Sequence, residues 1–113
     1  MNYREIDGLV AEKVMGWGTQ KFKNIGIIQA YTEDDEISIP DDFCPTENIE
    51  DAWKVVDKMK DDRFTIVFTN GKYKNLVIFW ENDLTLAASI YHESITTAIC
   101  LAALKALGVE VSK

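Results

Sequence analysis

The chain has 113 residues, enough for one hydrophobic core and too few for two, so a single domain over 1–113 is expected. Hydrophobic residues make up 47%, which argues against a disordered chain, and no apolar run reaches the roughly 18 residues needed to span a bilayer. Lys plus Arg is 12 and Asp plus Glu is 19, a net charge of −7, and an acidic chain without a basic stripe is not expected to bind nucleic acid.

The N-terminal stretch MNYREIDGLV carries charges where a signal peptide needs an apolar run, so a cytoplasmic protein is expected. The two cysteines, Cys44 and Cys100, are isolated and do not make a disulfide framework.

Residues 3–15 read as the first helix. Ile6, Leu9, Val10 and Val14 share a face, and Arg4, Glu5, Asp7, Glu12 and Lys13 take the solvated one. Gly8 is a weak point inside it, costing about 1 kcal/mol against Ala. Gly16 is placed to end the helix in a left-handed cap. Residues 17–47 are the least regular part, with one weak strand over Ile25 to Tyr31. No Lys or Arg occurs between Lys23 and Lys54, while nine acids do. Pro40 and Pro45 make this segment loop-like.

Asn48 is an N-cap for a second helix, with Glu50 and Asp51 in its first turn and its end near Lys60 or Asp61. Ile49, Ala52, Trp53, Val56 and Met59 share its core face. Three strands follow: Arg63 to Thr69, Tyr73 to Glu81 and Leu84 to Tyr91, joined by turn signals at Asn70-Gly71 and Asn82-Asp83. The run Leu76 to Trp80 is apolar on both faces, which predicts helices over both. Ser94 caps a final helix that is apolar nearly all round and ends at Gly108. That helix is expected on the strand face carrying Ala87 and Ser89. The fold class is therefore α+β: a three-layer α/β/α sandwich, mainly antiparallel, in the order α-(β)-α-β-β-β-α.

No set of residues forms a catalytic or cofactor signature. His92, the single histidine, stands before a helix cap and reads as a capping or surface residue. Two cysteines and one histidine, far apart, do not make a zinc site. The acidic residues Glu33, Asp34, Asp35, Glu36, Asp41 and Asp42 lack the alternating spacing and glycine of a calcium loop. The plain reading of this segment is a solvated loop; the sharper one is a patch for a basic partner protein. Trp53 and Trp80 are assigned to the core rather than to base stacking. Gly16-Trp17-Gly18 is not a phosphate loop.

Three blocks carry a family resemblance. They are Arg4 to Asp7 with Val10 to Trp17, Phe43 to Thr46 with Ile49 and Ala52 to Val56, and Ala98 to Gly108. Together they resemble the phage alpha-beta-alpha sandwich domain family, and the stretch Gln20 to Asp42 matches none of its pattern. The resemblance implies a small protein of phages or prophages of Gram-positive bacteria, and the same three-layer sandwich. It supplies no activity, cofactor or site residue. The expectation is a non-enzymatic phage accessory protein in the host cytoplasm that binds an unidentified host or phage protein. The alternative is a binder of a nucleotide or metabolite, and an enzyme ranks third. Exposed strand edges and the Ile25 to Tyr31 segment offer a route to a homodimer.

Overall fold

A computed structural model describes residues 3–22, 27–39, 41–70, 74–82 and 85–109. Helix α1, Tyr3–Leu9, runs directly into a π-helical turn, Val10–Val14. There the Met15 N–H donates to the Val10 carbonyl at 3.0 Å, five residues back. Gly16 ends the helix at φ 77°, the left-handed conformation expected of it. Gly8 is more than a weak point. A Cβ there would lie 2.7 Å from Ile28 Cδ1, so its missing side chain lets α1 approach the strand that holds Ile28.

Where one weak strand is expected, three form. Strands β1, Gly18–Phe22, β2, Ile27–Tyr31, and β3, Glu36–Ile39, make an antiparallel sheet in that order. The outer two are short, and β1 is mostly exposed, so neither shows the alternation that marks a half-buried strand. Pro40 and Ile25 lie outside the described residues.

Helix α2, Ile49–Asp62, begins at Asn48, whose side chain accepts from the backbone N–H groups of Glu50 and Asp51 at 2.9 and 3.2 Å. Ala52, Val55, Val56 and Met59 face the core. Trp53 does not: it is 46% exposed and rests edge-on against Phe68, ring centroids 5.5 Å apart. Ile49 is likewise exposed, because the core-facing stripe of this helix turns through Val55 instead.

Strands β4, Phe64–Asn70, β5, Asn75–Glu81, and β6, Leu86–His92, form the predicted antiparallel meander. Gly71 and Asp83 of the two turn signals lie outside the described residues. Ile66 pairs with Phe79 and Phe79 with Ala88; Phe68 pairs with Val77 and Val77 with Ile90. Paired residues share a face, so these six side chains meet the helices. The register shifts by one residue between Phe79 and Trp80, which places Leu86, not Ala87, opposite Trp80.

Helix α3, Ile95–Ala106, is capped by Ser94, which accepts from the Thr97 N–H at 3.3 Å. It lies over β5 and β6 beside α2, which packs on β4. Helix α1 and the π turn pack against the same α3, and the β1–β3 sheet covers them in turn. Contact from sheet and helix on different sides explains why α3 is apolar nearly all round. The result is the expected α+β sandwich with antiparallel sheets. Two details differ. Helix α3 docks on the face of Ala88 and Ile90, because these pair with the buried Phe79 and Val77, while Ser89 and Tyr91 alternate to the opposite side. No described element covers that opposite face: Val67, Leu86 and Tyr91 on it are 42%, 53% and 65% exposed.

Candidate functional site

The acidic segment is not a loose loop. Glu33, Asp34 and Asp35 form the tip of the β2–β3 hairpin, and Glu36 opens β3. Thr32 organises the tip. Its Oγ1 accepts from the N–H groups of Asp34 and Asp35 at 3.3 and 3.0 Å, and its own N–H donates to the Asp35 carbonyl at 2.9 Å. This is local turn chemistry that a threonine supplies readily. All four acids are exposed. Among the described residues none of them forms an ion pair with a lysine or arginine.

Asp41 and Asp42 sit past the other end of β3 and are also exposed. Asp42 Oδ2 accepts from the Ser38 N–H at 3.0 Å, so its carboxylate is partly engaged in holding the strand end. The structure thus divides the six predicted acids between the two ends of a four-residue strand, about 10 Å apart along the chain. Glu33 and Asp34 border a cavity.

That cavity, of ≈ 580 Å³, lies between the end of the π turn and the hairpin. Met15, Gly16, Trp17, Tyr31, Thr32, Glu33 and Asp34 line it. Trp17 is held from behind by Phe43, edge to face with ring centroids 5.0 Å apart. Tyr31 is fixed by β2, and its hydroxyl donates to Gln20 Oε1 at 3.4 Å on the neighbouring strand. Two aromatic side chains and two carboxylates therefore border one open groove. An aromatic face and a carboxylate both favour a cation. Sequence reasoning identified the carboxylates but not the aromatic groove, because Trp17 reaches the hairpin only through the pairing of Gly18 with Tyr31.

A second cluster was missed altogether. Asp7, expected on the solvated face of α1, is 1% exposed. Its carboxylate accepts from the Thr46 N–H at 2.9 Å, from Thr46 Oγ1 at 3.1 Å and from Cys44 Sγ at 3.4 Å. The Thr46 carbonyl in turn accepts from the hydroxyls of Thr96 and Thr97 at the start of α3, and Asp51 of α2 accepts from the Cys44 N–H at 2.9 Å. The 44–46 turn thus ties three helices together, with every bond satisfied by protein groups.

This cluster is built for structure rather than nucleophilic chemistry. Burial, then the negative charge of Asp7 and the hydrogen bond to it, push the Cys44 thiol up to about 11. A reactive cysteine needs the opposite shift and a positive neighbour. Cys100 is pushed up as well, first by burial and then by the charge of Asp7. His92 caps, as expected: its Nδ1 accepts from the Ser94 N–H at 2.9 Å. Among the described residues no three of His, Cys, Asp and Glu gather closely enough to hold a metal ion.

The description of the phage ABA sandwich domain matches residues 8–104, from inside α1 to the last turn of α3. The chain belongs to this family. As a phage ABA sandwich domain it shares its fold with a phage protein from Bacillus cereus ATCC 14579. The two are 24% identical and superpose with a TM-score of 0.74, over 99% of this chain and 93% of that one. At that identity the likeness shows the fold alone. A comparison with curated proteins gave no match. No helix among the described residues is long and apolar enough to cross a membrane.

Proposed function

We propose that this phage ABA sandwich domain is a non-enzymatic interaction module, which takes a basic segment of a host or phage protein against its acidic hairpin. One observation carries the reading: Trp17, Tyr31, Glu33 and Asp34 line a single open groove. A lysine or arginine side chain entering it would meet ring faces along its stem and a carboxylate at its head. The remaining hairpin acids, Asp35 and Glu36, would steer the approach of a basic partner in the host cytoplasm. The raised thiol of Cys44, in the buried cluster around Asp7, argues against a nucleophilic role for that cysteine.

The test is a pull-down from host lysate with wild type and with Glu33→Lys/Asp34→Lys, both at exposed positions, so that the variant should keep its fold. Wild type should enrich a basic protein, added salt should weaken the capture, and the variant should lose it. Equal capture by the variant overturns the reading. The size of the groove also suits a small molecule, and this competing occupant is best sought as a retained mass in native mass spectrometry. A nucleotide is disfavoured there, because Glu33 and Asp34 would face its phosphates.

A further inference from the structure

The two walls of the groove are both tied to helix α1. Tyr31 stands at the end of β2, and Gly8 of α1 is seated against Ile28 of the same strand, with no room for a Cβ between them. Trp17 forms the other wall and is held twice. Its N–H donates at 3.0 Å to the carbonyl of Ala11, which lies one turn beyond Asp7, and its ring rests edge-on against Phe43, centroids 5.0 Å apart. Phe43 is buried and leads into the turn that Asp7 grips through the N–H and hydroxyl of Thr46, at 2.9 and 3.1 Å. Asp51 of α2 fixes the same turn through the Cys44 N–H. Two neighbouring residues of α1, Asp7 and Gly8, therefore reach both walls.

We infer, on the reading of this groove as the binding site, that Asp7 is its positioning residue: by holding the 44–46 turn to α1 it sets Phe43, and through Phe43 the Trp17 ring, opposite the wall that carries Tyr31. Asp7 is not among the residues that line the groove, so its effect on a bound cation passes through packed groups. A side chain needed only to fill the space beneath the turn could be apolar, and would cost less to bury than a carboxylate. One that accepts from two groups of the same threonine fixes the direction of the turn as well as its distance from the helix. A ring held in one orientation by its supports loses little freedom when a basic side chain docks on it, so the hold on Phe43 is returned as affinity.

Fluorine NMR of protein labelled with 5-fluorotryptophan, combined with a titration of tetraarginine, tests this on wild type, Asp7→Ala, Asp7→Asn and Val77→Ala. Val77 is a buried residue of β5, so its truncation controls for lost stability alone. Asp7→Ala should shift the Trp17 resonance, leave those of Trp53 and Trp80 in place, and weaken tetraarginine by about 5-fold. Asp7→Asn keeps one acceptor oxygen and should restore part of both. Val77→Ala should change neither the Trp17 resonance nor the affinity. If Asp7→Ala fails to fold, Asp7→Asn should still move the Trp17 resonance, and Phe43→Leu, which removes the ring behind Trp17, should weaken tetraarginine to the same degree. A Trp17 resonance that Asp7 substitution does not move, an affinity that survives it, or an equal loss in Val77→Ala would each overturn the assignment of Asp7. Tetraarginine that does not bind wild type, with Glu33→Lys/Asp34→Lys no different, sinks the binding reading by itself, and the Trp17 resonance then still decides whether Asp7 positions the ring.

Discussion

Asp7 and Thr46 lie 39 residues apart in the chain, yet the Asp7 carboxylate accepts both the backbone N–H and the side-chain hydroxyl of Thr46. An acid in the first turns of a surface helix has become the buried anchor of a turn. Asp7→Ala should therefore destabilise the fold by about 3 kcal/mol, since it leaves buried donors without an acceptor. Asp7→Asn keeps one oxygen for the Thr46 N–H and should cost about 1 kcal/mol. Urea denaturation of the two variants checks the order; equal midpoints would show that the anchor carries no weight.

The same carboxylate predicts a pH dependence. Burial raises the Asp7 carboxyl above its ordinary 3.8, and the hydrogen bonds from Thr46 and Cys44 offset only part of this. The folded state then holds a proton that the unfolded chain has already released. Stability contributed by Asp7 is full below the unfolded pKa and is lost as pH rises through the folded one. Asp7→Asn has no such proton. The stability of wild type relative to Asp7→Asn should fall as pH climbs from about 4 through the raised value. A difference that is flat, or that grows with pH, contradicts the assignment.

Cys44 should be a sluggish thiol. With its ionisation at about 11, alkylation near neutral pH should run about 100-fold slower than for an unstructured cysteine. Asp7→Asn removes the adjacent negative charge and should speed the reaction. Cys100 is fully buried and should react only once the chain is unfolded. Mass-resolved iodoacetamide kinetics separate the two sites. Fast modification of Cys44 in the folded wild type is the result that would count against this picture.

Gly8 and Ile28 should be energetically coupled. Gly8→Ala gains helix propensity but drives a methyl to within 2.7 Å of Ile28 Cδ1, so it should cost about 1 kcal/mol net. Ile28→Val removes that Cδ1 and should also cost about 1 kcal/mol alone. Together they should cost clearly less than the sum, because the valine makes room for the alanine. A double-mutant cycle by urea unfolding measures the coupling, and strict additivity would remove the packing argument.

Legibility in the sequence followed the range of the interactions. Asn48, Ser94 and Gly16 cap helices through neighbours two to five residues away, so their roles were readable from the chain. The β4–β6 meander was readable from its alternation. Asp7 was not, because its partners Cys44 and Thr46 come from a distant turn and a lone acid on a helix looks solvated. Strict alternation along β6 groups Leu86 with Ala88 and Ile90, and it cannot anticipate the one-residue register shift beside Trp80 that turns Leu86 to the other face. At the candidate groove, Glu33 and Asp34 were visible as charge, with Tyr31 beside them in the chain, whereas Trp17 joined them only through the pairing of β1 with β2.

The Thr46 carbonyl accepts from two hydroxyls, those of Thr96 and Thr97, 50 and 51 residues away. Neither bond can form before α3 has docked, and the Asp7 bonds wait in the same way for α1. We expect the turn at 44–46 therefore to close late, as a latch on the assembled protein rather than a seed for it. Substituting Asp7 or Thr97 should accelerate unfolding while leaving refolding almost unchanged, the signature of contacts absent from the transition state. Stopped-flow chevrons would read this directly, and a slowed folding limb would move the turn into the nucleus. On this account the cluster governs how long a folded molecule lasts rather than how readily it folds.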